Sequence, residues 1–450
     1  MAKITQQKNS FLSELLEFQQ SLNGKSGLLD ELRLKGAEEV RNGAFPQAKD
    51  EDWRFISLKG LYQDTYRSVS DLEDEIEVPD FSGYYLPESE EARLVFVNGS
   101  YSPKHSDTSA LPDKIQVGNL ADFAADGNEQ VEKHLNLYAD FEGDIFTSFN
   151  NAFLEDGAFI HAPEGVKAEV PIHLLFIQTD APENYFITPR CLVVADKGAE
   201  LNIVEDYVGL AGNKYFNCPA IEVNVEEQAH VVHTRIQRDS REAIHIGRVG
   251  AHVNRHSNYE SYTINIGAKL SRNEPRVTQL AEEVEFTLDG LVLIDGEQVS
   301  DTHSVMDHKF AHAESHQLHK CVINDRAHSV FNGKIYVRPH AQKIDSFQEN
   351  RNLLLSRKGL VNTKPQLEIF ADDVKCTHGA TVGQMEPDEL FYLRSRGLNE
   401  AKARELLVYA FALETIENIP IESVQKLLVD EVRNFTNRQL DTEPVIQPEK

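Results

Sequence analysis

Cysteine is scarce in this sequence, with four in 450 residues, and no two of them form a CxxC pair. Such wide spacing does not suit the disulfide framework of a small secreted domain. The first twenty residues are polar and lack the apolar centre of a signal peptide. Reduced thiols and a cytoplasmic location are therefore predicted. The four cysteines are Cys191, Cys218, Cys321 and Cys376.

Several other features are missing. No apolar run is long enough to span a membrane. A GxSxG nucleophile elbow, a Walker A loop and a GxGxxG loop are all absent, so neither serine hydrolysis nor nucleotide binding by this chain itself is expected. Lys and Arg total 45 against 73 Asp and Glu, which gives a net charge of −28. This charge argues against a nucleic-acid or anionic-membrane partner.

The first part of the chain is predicted to be helical. Leucines recur at helical spacing before residue 40, and Pro46 ends this stretch. Trp53 is the only tryptophan, and we expect it to anchor the helical arm on the next domain. We assign residues 1–78 to an N-terminal helical region and 79–148 to a mixed α/β connecting region. The latter contains a strand that runs into an Asn-Gly turn at 93–99, a pattern typical of a hairpin.

From about residue 149 the pattern changes to short apolar runs separated by Gly, Asn and Asp, without a helical period. A pair of small residues opens several of these runs, at 198–199, 250–251 and 267–268. Small residues fit the tight corners of a β-solenoid, in which strands stack turn upon turn. A β-sandwich would give similar strands, but more than 200 residues of this texture and the recurrent corners favour a solenoid. We predict that the solenoid core spans 149–380.

The end of the chain is predicted to form a C-terminal helical domain over 381–450. Pro387 suits the first position of a helix, and Gly397 suits the position after its end. A second helix is expected over about 399–417, and Pro420 starts a third.

Five histidines fall within residues 303–319. On a helix, three of them would be spaced by four residues on one face and would suit zinc. No HExxH motif is present and the flanking texture is that of strands, which favours a place on solenoid turns or in a polar ladder inside the solenoid. A zinc hydrolase built on this run and a β-helix carbohydrate-active enzyme are the alternative functions. The five residues are His303, His308, His312, His316 and His319.

A thiol and an imidazole lie two residues apart at Cys376 and His378. In an extended segment these side chains share a face. Both are ligands for iron or zinc, but a stable iron–sulfur cluster usually needs four ligands, most of them Cys. A site here would be transient or shared with another subunit. The alternative is a buried thiol beside a turn histidine, with no chemical role.

These two residues lie in a segment that resembles a known family. Residues 371–381, ADDVKCTHGAT, and 390–397, LFYLRSRG, resemble the C-terminal signature of SufD, a scaffold component of the SUF iron–sulfur cluster assembly system. The Lys-Cys-x-His-Gly core distinguishes SufD from its paralogue SufB. The strong part of the resemblance covers about the last third of the chain. Further matches lie at 317–320, 330–335, 341–342, 348–356 and 363–370, with weaker ones at 52–54 and 94–99.

The resemblance implies a mainly β fold, in which a right-handed parallel β-helix core is flanked by N-terminal and C-terminal helical regions. It implies a scaffold and not an enzyme, joined to SufB through the C-terminal end of the β-helix. The C-terminal helices would dock a SufC ATPase, and this chain itself would bind no nucleotide. An isolated chain could form a homodimer through the same edge.

The resemblance also assigns site residues. His378 corresponds to the interfacial histidine of the family, which would act with a cysteine and a carboxylate of SufB. Together they would bind a nascent iron–sulfur cluster or iron. Cys376 corresponds to the neighbouring cysteine, whose role is less defined.

Overall fold

The fold is mainly β, with helical regions before and after the strands in sequence, as predicted. Two large sheets, which we name sheet A and sheet B, contain all of the strands in the described residues. The predicted N-terminal helix begins outside the described residues. The computed structural model describes residues 15–16, 18–20, 22, 27–69, 72, 78–138, 144–210, 212 and 214–440.

Short elements occupy the first third of the chain. Among them, β2 and β3 pair antiparallel around Asn98 and Gly99, which both have a positive φ, so the predicted hairpin is confirmed. The helices are α1 (Gly27–Asn42), α2 (Lys59–Gln63), α3 (Leu120–Ala125), α4 (Glu129–His134) and α5 (Ile145–Ala152). The strands are β1 (Arg67–Ser68), β2 (Arg93–Val97), β3 (Ser100–Tyr101) and β4 (Gln116–Asn119), and 3₁₀ turns lie at Glu51–Trp53, Ser82–Tyr84 and Pro87–Ser89.

The following strands form a β-solenoid of about 7 turns, which confirms the solenoid over the sandwich. The chain alternates between the sheets, and each strand pairs in parallel with strands of the neighbouring turns. Sheet A receives β5 (Ala158–Ala162), β7 (Tyr185–Ile187), β8 (Arg190–Ala195), β10 (Tyr215–Asn217), β11 (Ala220–Val225), β13 (Ile244–Val253), β15 (Leu270–Gln279), β17 (Val299–His308), β19 (His328–Val337) and β21 (Leu360–Ile369). Sheet B receives β6 (Ile172–Gln178), β9 (Glu200–Gly209), β12 (His230–Arg238), β14 (Asn258–Asn265), β16 (Val284–Ile294), β18 (Ala313–Ile323), β20 (Ile344–Leu354) and β22 (Lys375–Gln384).

The space between the sheets holds the main hydrophobic core. Val193 and Val223 of sheet A meet Ile203 and Val231 of sheet B there, and all four are fully buried. Branched side chains suit this position because they pack well on a pleated surface. Stacking one turn on the next extends this core along the solenoid.

Two of the three predicted corners are confirmed. Both have a positive φ at a turn between strands: Gly198 has φ of 68°, which glycine adopts without steric cost, and Ala268 has φ of 62°. The pair 250–251 lies instead inside β13, where Ala251 is buried in the core between the sheets. A small residue in that crowded layer gives the same sequence signal as one at a corner.

The strand texture assigned from residue 149 begins later than predicted. Residues 145–152 form α5, in which Phe146 and Phe149 are fully buried, and the first solenoid strand starts at Ala158. Buried aromatic residues in a short helix resemble a strand in composition. At the other end β22 continues to Gln384, beyond the predicted limit at 380. The division into four domains stays a prediction.

The chain after the solenoid is helical. Pro387 stands at the start of the first helix and Gly397, with φ of 96°, follows its end, as predicted. The second and third helices pack on the outer face of sheet B, where Val408 and Leu428 join a cluster with Leu291. No helix within the described ranges is long and apolar enough to cross a membrane. The helices are α6 (Pro387–Ser395), α7 (Glu400–Glu417) and α8 (Glu422–Leu440).

Candidate functional site

The solenoid ends in two strands that are each paired on one side. Strand β21 is the last strand of sheet A and pairs with β19, while β22 is the last strand of sheet B and pairs with β20. Over the described residues, no strand covers the outer edge of either one. The last turn therefore presents free backbone donors and acceptors, which is the usual site for pairing with another chain.

Cys376 lies on β22 with its side chain toward the space between the sheets. It packs against the main core cluster and pairs in register with the buried Ser346 of β20. Burial, with a smaller contribution from the Asp345 carboxylate, raises the pKa of the Cys376 thiol to about 11. The group is consequently a neutral thiol at physiological pH, and it would release a proton on binding a metal.

His378 lies two residues further along the same strand. It pairs in register with the fully buried Gln348 of β20 and therefore points to the same side as Cys376. His378 is nevertheless exposed, because no further turn of the solenoid in the described part of the chain covers it. The structure thus places the two residues on one face, at the open end of the solenoid.

Polar side chains continue from these two residues into the solenoid. Behind Cys376, the Ser346 and Ser315 hydroxyls lie 2.6 Å apart, and Ser315 Oγ is 3.0 Å from His308 Nε2. A second row lies behind His378: Gln348 Nε2 donates to Gln317 Oε1 at 2.8 Å.

Our sequence reasoning missed these rows. Their signal was present, because polar residues two positions apart recur in three successive turns. The three pairs are Ser315 and Gln317, Ser346 and Gln348, and Cys376 and His378.

The histidine-rich run is not helical, so the one-face zinc arrangement is wrong. His303 and His308 lie on β17, His312 lies in a turn, and His316 and His319 lie on β18. His308 and His319 in the interior and His312 in a turn agree with the alternative, whereas His316 lies on the outer face of a strand. Among the described residues, no group of three or more His, Cys, Asp or Glu is placed to hold a metal ion.

Each strand histidine of the run has a structural partner. His308 and His319 are buried and stack on Phe286 and Phe331, and burial lowers the pKa of each to about 4. His316 faces outward, and a hydrogen bond with Asp289 raises its pKa. These contacts explain the histidines by packing and ion pairing.

The C-terminal helices differ in how they are held. Lys320 of sheet B is buried and donates from Nζ to the backbone oxygen of Phe411 at 2.8 Å, which fastens α7 to the solenoid. Helix α6 has no buried residue, and its aromatic side chains Phe391 and Tyr392 are 72% and 56% exposed. Exposed aromatic residues in this number mark a candidate docking surface.

The fold and the site define a class of protein: a parallel β-solenoid of two sheets whose open last turn carries a thiol and an imidazole, both of which can bind metals. Comparison with known families is more specific. Residues 176–411 match the family described as SUF system FeS cluster assembly, SufBD core domain, and residues 5–174 match the SufBD protein N-terminal region. The chain belongs to the SufBD family of the SUF iron–sulfur cluster assembly system.

Individual relatives agree with this assignment. The chain is 38% identical to an iron–sulfur cluster assembly SufBD family protein of Synechocystis, over 89% of this chain and 87% of that protein. It is 31% identical to the chloroplastic protein ABCI7 of Arabidopsis thaliana, over 94% and 89%. It is 28% identical to the iron–sulfur cluster assembly protein SufD of Escherichia coli, over 86% and 88%. The resemblance to SufD predicted from the sequence is confirmed.

Proposed function

We propose that this protein is a cytoplasmic SufD-type scaffold, without catalytic activity of its own, on which iron–sulfur clusters are built together with SufB. The observation that carries the proposal is the position of His378. It lies near Cys376 on the last strand of the solenoid, on the face that points between the sheets, and it is exposed because this end is open. Two ligands on an open end suit cargo that is held briefly and completed by a partner, because a stable cluster needs about four ligands.

The partner SufB would join at the open end of the solenoid. The free edges of β21 and β22 offer backbone hydrogen bonds to further strands. Leu360, Phe370 and Val382 on these strands and their turn are between 50% and 57% exposed, and burying apolar side chains would favour association. An isolated chain would form a homodimer through the same strands.

The site residues have separate roles in this proposal. Neutral imidazole is a good ligand for iron, so His378 would bind the nascent cluster or iron, completed by a cysteine and a carboxylate of SufB. Cys376 is more recessed and protonated, and it would serve as a second ligand after losing its proton.

The SufC ATPase would dock on the C-terminal helices. Phe391 and Tyr392 of α6 and Leu406 of α7 are exposed apolar side chains on these helices. Lys320 would transmit movement of α7 to sheet B through its bond to the Phe411 carbonyl. ATP would remain on SufC.

The proposal is tested by replacing His378. We expect His378→Ala to keep the fold and SufB binding, because the side chain is exposed, and to lower the yield of clusters reconstituted anaerobically on the complex. The matched control is His340→Ala, which removes an exposed histidine from a nearby turn. An unchanged cluster yield for His378→Ala, at equal SufB binding, would refute the role of His378.

A further inference from the structure

Gln348 is fully buried, and its side-chain oxygen has no hydrogen-bond partner among the described residues. Such an acceptor is rare, because most buried polar atoms in folded proteins are hydrogen-bonded. Gln348 also lies directly inward of His378, as its register partner on the neighbouring strand.

The orientation of the Gln348 amide is fixed from behind. Its Nε2 donates to Gln317 Oε1 at 2.8 Å, and Gln317 Nε2 in turn donates to Ser304 Oγ at 2.8 Å. Because the nitrogen is committed to Gln317, the oxygen is the atom left without a partner.

The opposite sheet also confines this amide. A Cβ atom added at Gly333 of β19 would clash with Gln348 Nε2. Only glycine leaves room for the amide at this place, so the Gln348 amide packs closely against sheet A.

Neighbouring strands are about 4.8 Å apart, which brings an imidazole within reach of an amide oxygen on the adjacent strand. We propose that Gln348 Oε1 accepts a hydrogen bond from one imidazole N–H of His378. The bond would fix the ring's tautomer and leave the lone pair of the other nitrogen free for iron. Metal-binding histidines usually have such a partner on the second nitrogen. Gln348 would thus be a positioning residue, and this inference rests on the proposed function of His378.

The bond itself can be tested without iron. The full-length chain, labelled with ¹⁵N-histidine, is studied by NMR at alkaline pH, where imidazoles are neutral, and the His378 signals are assigned with His378→Gln. We expect one dominant tautomer in the unmodified chain. Gln348→Met has similar size but no amide oxygen, and it should shift both ring nitrogens toward the tautomer mixture of a free imidazole. Identical His378 signals in Gln348→Met would overturn the proposal.

A second variant keeps the test decisive if Gln348→Met does not fold. Gln348→Glu retains an oxygen at the same place, so it should hold the His378 ring in one dominant tautomer, as in the unmodified chain. Ser346→Ala is the matched control, because it changes the inward neighbour of Cys376 instead. A tautomer mixture like that of a free imidazole for His378 in Gln348→Glu would contradict the contact.

The consequence for iron is measured on the complex with SufB, with Fe(II) alone as the probe. Loss of such a partner typically weakens metal binding 10- to 100-fold, so we expect Gln348→Met to weaken Fe(II) binding at least about tenfold and Gln348→Glu to restore most of it. If Fe(II) binding is unaffected by His378→Ala, the proposed function fails, while the NMR result still decides whether the two side chains are bonded. If His378→Ala weakens binding and Gln348→Met does not, the positioning role alone is refuted.

Discussion

The guanidinium of Arg272 lies over the ring of Trp53, with 3.9 Å between its central carbon and the ring centroid. Arg272 is a buried residue of sheet A, and it also donates to the backbone oxygen of Asp52 and pairs with Asp301. Trp53 packs in a cluster with apolar residues of the solenoid. The anchoring role predicted for the single tryptophan is therefore confirmed, and the arginine that receives it lies more than two hundred residues away.

Removing this anchor should destabilise the protein. We expect Trp53→Ala to lower the free energy of unfolding by about 3–5 kcal/mol, because truncating a buried aromatic side chain leaves a cavity. Urea denaturation followed by circular dichroism measures the change. Phe391→Ala is the control, since that ring is 72% exposed, and a shift beyond about 0.5 kcal/mol there would contradict the assignment of burial.

The cysteines should differ in reactivity. Cys376 is half-buried, whereas Cys191, Cys218 and Cys321 are buried. Iodoacetamide should therefore label the native chain at Cys376 first, with a rate that rises about tenfold per pH unit from pH 7 to 10, because only the thiolate reacts and its pKa is about 11. Mass spectrometry after timed quenching measures the rate, and Cys376→Ser should abolish rapid labelling. A rate that levels off near pH 8.5 would show an ordinary, unburied thiol.

Acid should destabilise the fold through two buried histidines. Burial lowers the pKa of His308 and His319 to about 4, whereas an unfolded chain titrates near 6.5. The unfolded state then binds more protons between these values, so stability is complete above about pH 6.5 and falls as the pH drops toward 4.

The contribution of these two residues can be isolated by mutation. Between pH 4.5 and 6, the slope of the free energy of unfolding against pH should be smaller in the double variant His308→Gln, His319→Gln. The reduction should correspond to about two bound protons. His340→Gln, on an exposed turn, should leave the slope unchanged. Equal slopes for the double variant and the unmodified chain would show that folding does not hinder protonation of His308 and His319.

The exposed rings of α6 should carry SufC docking. We expect Phe391→Asp to abolish co-purification with SufC, because a charge would be buried in an apolar contact, while SufB binding persists. Leu34→Asp is the matched control, since Leu34 is 58% exposed on α1. Retained SufC binding by Phe391→Asp would place the docking surface elsewhere.

Local chemistry determined much of this protein from its sequence. The start of α6 at Pro387 and its stop at Gly397 follow from the fixed φ of proline and the left-handed φ of glycine. Short apolar runs broken by small residues indicated a solenoid, because each turn repeats the same local constraints. The shared face of Cys376 and His378 followed from the two-residue period of a strand.

Tertiary structure decided the features that depend on register between turns and on where the stacking stops. The pairing of Gln348 with His378 and the contact of Arg272 with Trp53 join residues far apart in sequence, and no local period fixes such matches. The histidines of 303–319 had a spacing that fits a helix, but parallel pairing divided them between the interior, the surface and a turn. His378 itself is exposed only because β22 is the last strand: the same residue one turn earlier would be buried between sheets.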